Sequence, residues 1–222
     1  MTFKVVAYEV TELTRTVEAD TVEEAIALAY RGPDTDWTEW VPVNQLLTDL
    51  AHLVRAHPSR QDHQFTIRSL PEDLAVQANG TDVIQILLNL TVNAFQCSSH
   101  PHCVEMSASA LSQPLDLLRV KDGPHARVLN VEGLENAAPL LAIAIRDNGP
   151  GIPVELLPRI FQPFFTTKPE LQGTGLGLSI VQRLIKEAKG ALHVRSRPEE
   201  GTTFTVYLPA APLRPPGPAQ PA

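Results

Sequence analysis

An α/β domain is what this sequence predicts, and three observations predict it. Leu140 to Ile145 is an almost unbroken apolar run, which reads as a buried strand. "TDVIQILLNLTVNAFQ" is long enough for a helix and apolar over most of its surface, so that helix belongs in a core. Around these two, short runs of strand-like alternation and longer runs of helical spacing follow one another along the chain.

The elements can be taken in order. "FKVVAYEV" and "TRTVEA" are two short β-prone runs, and "DTVEEAIALAY" places Asp20 and Glu23 at capping-box spacing ahead of an apolar helical face. Residues 1–36 are therefore expected to form a small β-β-α unit, ending in the linker-like "RGPDTDW". A second domain is expected over residues 37–210. Val43, Leu46, Leu47, Leu50, Leu53 and Val54 recur at helical spacing until Pro58, an amphipathic helix of about four turns. "HQFTIRSL" and "LAVQA" read as two strands joined by the turn "PED". The buried helix comes next, then a strand near Val104 to Ala108. Residues 111–138 form a long insertion of mixed polarity, in which "ARVLNVEG" can add a strand. After the strand Leu140 to Ile145, the segment ending "GLGLSIVQRLIKEAKG" reads as a helix closed by Gly190, and "ALHVRSR" and "TTFTVYLP" as a hairpin around "PEEG". Residues 211–222, rich in Pro and Ala, are expected to be a disordered tail.

Composition limits the function classes. With 222 residues, 43% of them hydrophobic, the chain can bury a sizeable core. No apolar run approaches a membrane span and the N-terminus has no signal-peptide pattern, so the expected location is the cytoplasm. A net charge of −7 without a basic stripe argues against nucleic acid as a partner. "CSSHPHC" gathers two thiols and two imidazoles, yet its spacing matches none of the usual zinc patterns.

Three local patterns carry chemistry. In "IRDNGPGIP" an acid, Asp147, stands at the end of the apolar strand and runs into a glycine-rich turn; a turn-initiating Asp is the plain alternative. Gln85, Asn89 and Asn93 recur every four residues and share one helix face. Those amides are either a satisfied core network or oxygen ligands for Mg2+, which takes hard oxygens and borrows the rest from phosphates. "GTGLGLS" sets Gly173, Gly175 and Gly177 at the start of a helix, where backbone N–H groups can approach an anion, although flexible loops also collect glycine.

Taken together, "NLTVNA", "DNGPGI", "FQPFFTTK", "GTGLGLS" and "EGTTFTVYLP" resemble, in order, the consecutive boxes of the histidine-kinase catalytic domain. The resemblance covers roughly Val41 to Ala210. It implies a two-layer α/β sandwich, a mixed sheet covered by helices on one face, shared with gyrase, MutL and the heat-shock chaperone ATPases. It also implies the ligands ATP and Mg2+. By the same resemblance Asp147 accepts a hydrogen bond from the adenine amino group, with Gly149, Gly151 and Ile152 forming the turn beside the ring. Asn93 is implied as the metal ligand, and Asn89 lines the same face as a catalytic residue with Lys168. Phe161, Phe164 and Phe165 would anchor a lid, with Thr166, Thr167 and Lys168 at its phosphate side. Gly173, Thr174, Gly175, Leu176, Gly177 and Leu178 would cradle the phosphates, and Thr202 would close the adenine side.

The chain departs from that pattern in three places. The acceptor histidine of such kinases is normally followed by an acid, whereas the seven histidines here are followed by Leu53, Pro58, Gln64, Pro101, Cys103, Ala126 and Val194. Too little chain precedes Val41 for a helical hairpin. Gln96 stands where many relatives carry a lysine that reaches the phosphates, and the insertion at 111–138 is additional. The expectation is therefore a catalytic module that transfers the γ-phosphoryl group of ATP to a histidine supplied in trans or by a missing upstream segment. Its expected partners are that acceptor domain and a response regulator, with homodimerisation through upstream helices. The alternatives are a serine kinase of the anti-sigma-factor type and a non-catalytic nucleotide-dependent binding module.

Overall fold

A computed structural model describes residues 2–8, 12–18, 40–60, 62–167 and 174–213. β1 (Thr2–Tyr8) and β2 (Glu12–Glu18) pair antiparallel in a two-stranded sheet. The helix expected after them lies outside the described residues, as do the linker and residues 214–222.

The larger unit is an eight-stranded mixed sheet carrying three helices among the described residues. β3 (Trp40–Pro42) leads into α1 (Val43–Ala56), whose buried Val43, Leu46, Leu47, Leu50 and Val54 form the stripe that the spacing predicts. β4 (Gln64–Arg68) and β5 (Leu74–Gln77) follow. They do not pair with each other. Asn44 holds Leu70 through both its amide atoms, and Asp73 Oδ1 accepts from the Asn44 and Leu74 N–H groups. The connecting turn is thereby fixed to the start of α1, which sends β5 to β3 and β10, while β4 lies parallel to β6 at the far edge.

α2 (Gly80–Phe95) starts at Asn79, whose side chain accepts from Thr81 N–H at 2.9 Å, and it buries ten residues from Val83 to Phe95. β6 (Cys103–Leu111), β8 (Leu140–Asp147) and β10 (Gly201–Pro212) form the centre of the sheet, with β8 antiparallel to both neighbours. β9 (Ala191–Arg197) makes the expected hairpin with β10, and α3 (Gly177–Glu187) precedes it. β10 continues to Pro212, pairing Ala211 with Ala75 and Pro212 with Leu74, so two residues expected in the tail belong to the sheet.

Both faces of the sheet are covered. Leu141, Ile143 and Ile145 of β8 enter the core under the three helices, each at most 1% exposed and each worth ~1.5–3 kcal/mol of burial. The alternate residues Leu140 and Ala142, with Ala191 and Tyr207, form a second cluster on the other face. The insertion covers it. Leu111, Leu115, Val120 and Leu134 pack there, and β7 (Ala126–Leu129) pairs with β9, giving the long loop the strand that its sequence allowed. No described helix is long and apolar enough to cross a membrane.

Candidate nucleotide site

β8 carries Asp147 at its last position, where the sheet's ends and the exit of α2 meet. The carboxylate is 3% exposed. Its Oδ1 accepts from Gly149 N–H at 2.9 Å and Thr202 N–H at 3.2 Å, and from the Cys97 thiol at 3.7 Å. Burial raises the pKa of Asp147; the two backbone donors, the charge of His102 and the Cys97 thiol oppose that rise. All hydrogen bonds described on Asp147 end on Oδ1, which leaves the second oxygen its lone pairs for an incoming donor.

The walls around this acid come from three elements. Thr202 is buried, and its hydroxyl meets Ser196 Oγ at 2.9 Å across the β9–β10 hairpin, where the two residues are direct partners. Ser196 Oγ also accepts from Ile152 N–H at 2.8 Å, which pins the glycine-rich turn to β9. Gly151 passes against the backbone of Arg197 and Pro198 in the same turn. A Cβ on Gly149 would meet the Cys97 sulfur and, at 3.0 Å, Asp147 Oδ1, so the turn closes directly on the acid. Ser196, Cys97 and His102 were not singled out from sequence as site residues. Ser196 had one signal, a small polar residue at an inward position of an alternating strand. Cys97 and His102 had none pointing here, and their closeness, Cys97 Sγ to His102 Nε2 at 3.5 Å, comes from α2 folding back on β6.

The amide face of α2 meets the glycine-rich helix start. Asn89 donates its Nδ2 to Gln85 carbonyl oxygen at 2.9 Å, so its Oδ1 turns outward. A Cβ on Gly177 would lie 3.0 Å from that oxygen and 3.9 Å from Asn93 Nδ2. Glycine at 177 is what allows α3 to begin this close to both amides. α3 has Leu176 at its N-cap with no side-chain cap, leaving first-turn N–H groups for another acceptor. Leu176 N–H reaches Thr174 Oγ1 at 3.4 Å, and Leu178 packs against the core. Asn89 and Asn93 each carry an amide oxygen, the hard donor type that Mg2+ takes.

Of the three phenylalanines expected to anchor a lid, two are packed and one is exposed. Phe161 is buried in the core and Phe165 is half-buried with the Arg159 guanidinium 4.6 Å over its ring, so both anchor the segment. Phe164 differs. It is 75% exposed because its backbone, at φ 64°, donates to Gly175 carbonyl oxygen at 2.9 Å and turns the ring outward. Gly175, at φ 68°, lies against that backbone, where a Cβ would come 2.7 Å from Phe164 Cα. Thr166 and Thr167 are exposed, and Lys168 and Gly173 lie outside the described residues.

Residues 78–212 match the family described as histidine kinase-, DNA gyrase B-, and HSP90-like ATPase. The chain is 46% identical over 183 residues to the sensor kinase CckA of Brucella abortus, covering 82% of this chain and 18% of that protein. It is 33% identical over 172 residues to the sensor histidine kinase ZraS of Escherichia coli strain K12, covering 76% of this chain and 30% of that one. Among solved structures, the full-length ShkA complex with AMPPNP is 25% identical with a TM-score of 0.56, over 87% of this chain and 36% of ShkA. The chain thus spans about a third or less of these relatives' length.

Proposed function

From a chain that belongs to the histidine kinase-, DNA gyrase B-, and HSP90-like ATPase family, we infer the nucleotide-binding catalytic module of a two-component histidine kinase. The observation that carries this reading is a buried carboxylate with an uncommitted oxygen, set at one end of a site whose other end is an uncapped helix N-terminus against two asparagines. Asp147 accepts from the adenine amino group, and Thr202 and Gly149 hold the carboxylate in place by their N–H groups. The first-turn N–H groups of α3, with Thr174, Gly175 and Gly177, receive the phosphates. Lys168 supplies the cation that Gln96 does not. Asn89 and Asn93 hold Mg2+, which would neutralise phosphate charge when bound. Phosphoryl transfer asks chiefly for positioning and charge stabilisation, which a fixed carboxylate and a helix terminus supply.

The acceptor is a histidine outside this chain. None of the seven histidines has the expected acidic follower, and the match takes up only 30% and 18% of the two kinases cited. A response regulator is the proposed downstream partner.

The test supplies the full chain with Mg2+, γ-labelled ATP and a separately produced helical hairpin bearing an acceptor histidine. Label on the hairpin that is acid-labile and base-stable marks a phosphohistidine and supports the reading. Acid-stable label favours the serine-kinase alternative. Nucleotide binding without label would reduce the chain to a nucleotide-dependent binding module.

A further inference from the structure

A second site lies on the other side of α2's exit. The end of α1 and the 3-10 turn Pro58–Arg60 border an open pocket of about 450 Å³ lined by Arg55, Ala56, His57, Pro58, Arg60 and His63. No acid lines it. Neither Arg55 nor Arg60 forms an ion pair among the described residues. The Arg60 Nε is buried without a hydrogen-bond partner. The rest of the Arg60 guanidinium lines the pocket, where its N–H groups can donate to an oxyanion. Burial and the neighbouring His102 lower the pKa of His63, against a smaller opposing influence of Asp62, while the two guanidinium groups carry a fixed positive charge. The negative end of the α1 dipole faces the same side, yet it amounts to only about half a charge against two full ones.

The turn is built to stay in place. Arg60 N–H reaches His57 carbonyl oxygen at 3.1 Å, His63 N–H reaches Arg60 carbonyl oxygen at 2.8 Å, and Ser59 N–H reaches His57 Nδ1 at 3.2 Å. Gln96 donates its Nε2 to Ser59 Oγ at 2.9 Å, tying the turn to the end of α2. None of the six lining residues contacts Asp147, Asn89 or Gly177 in the described hydrogen bonds.

We propose that this open pocket binds a phosphate-bearing anion at a site separate from the Asp147 pocket, with Arg60 as the anchoring group and Arg55 as the second cation. Two guanidinium groups delivered from different elements, a helix end and a 3-10 turn, suit a tetrahedral dianion with several acceptor faces better than a single carboxylate. The volume accommodates a phosphorylated organic group as well as phosphate itself. The inference does not rest on the nucleotide reading.

The probe is inorganic phosphate, titrated at constant ionic strength into the full 15N-labelled chain, alone and with a saturating non-hydrolysable ATP analogue. Saturable shifts of the amides at 55–63 in both titrations are expected, with the apparent Kd raised about tenfold in Arg60→Gln. Arg55→Gln, on an exposed position of α1, should raise it about threefold and serves if the Arg60 variant does not fold. Shifts confined to residues 174–180, loss of the 55–63 shifts when the analogue is present, or a Kd unchanged in both folded variants would each overturn the proposal.

Discussion

Asp147→Asn separates binding from folding at one atom. The carboxylate holds Gly149 and Thr202 by Oδ1, and in the proposed function its other oxygen is the one that meets the base. Asparagine can keep the first task by pointing its own Oδ1 at the same two N–H groups. It then presents an NH2 where a donor arrives, so acceptor becomes donor. Losing a hydrogen bond to a charged acceptor costs ~1.5–3 kcal/mol, a fall in adenine-nucleotide affinity of about 10- to 150-fold. Stability should move the other way. Because burial raises the folded pKa of Asp147, the folded state holds its proton to higher pH than the unfolded state does. Stability therefore drops as pH rises through that window, and at neutral pH the ionised carboxylate counts against the fold. Removing the charge should leave Tm at pH 7 equal or higher. Calorimetric titration with a non-hydrolysable ATP analogue, beside a thermal melt of each chain, measures both. Affinity within twofold of the parent would refute contact between Asp147 and the base. A fall in Tm accompanying the loss would show instead that the turn had collapsed.

Three further outcomes follow from the same geometry. Acidification should weaken nucleotide binding starting above the ordinary aspartate range, as Asp147 takes up its proton, and titrations across pH should show the gap between parent and Asp147→Asn closing. Gly175→Ala should cost ~1–2 kcal/mol for its left-handed backbone plus the displacement of Phe164, lowering Tm by at least about 2–8 °C in a melt and weakening nucleotide binding. Thr202→Val keeps the backbone donor to Asp147 and loses the Ser196 contact, so melts should report ~1 kcal/mol of destabilisation, with calorimetric affinity held within about threefold.

Much of this was readable in the chain because each signal was local. Leu140 to Ile145 could be read as a buried strand because residues facing both sides are apolar, and the acid at its end stood out against them. The four-residue recurrence of Gln85, Asn89 and Asn93 fixed a helix face before any neighbour was known. What escaped depends on chain segments far apart. Thr202 N–H reaches Asp147 across 55 positions, through the pairing of β10 with β8. Cys97 touches the acid across 50, by the fold of α2 over β6. The resemblance implied Phe164 as a lid anchor beside Phe161 and Phe165, but its backbone bond to Gly175 turns the ring outward. The strands at 64–68 and 74–77 are individually legible, whereas their separation follows from Asn44 and Asp73, polar side chains with no periodicity to read.

The double cover of β8 by helices on one side and the insertion on the other bears on time as well as position. With neighbours on both edges and both faces, its peptide protons have no local route to solvent, and deuterium should enter them only when the whole domain opens. The floor that carries the acid therefore lasts as long as the folded molecule does, and each nucleotide that arrives meets a surface already assembled.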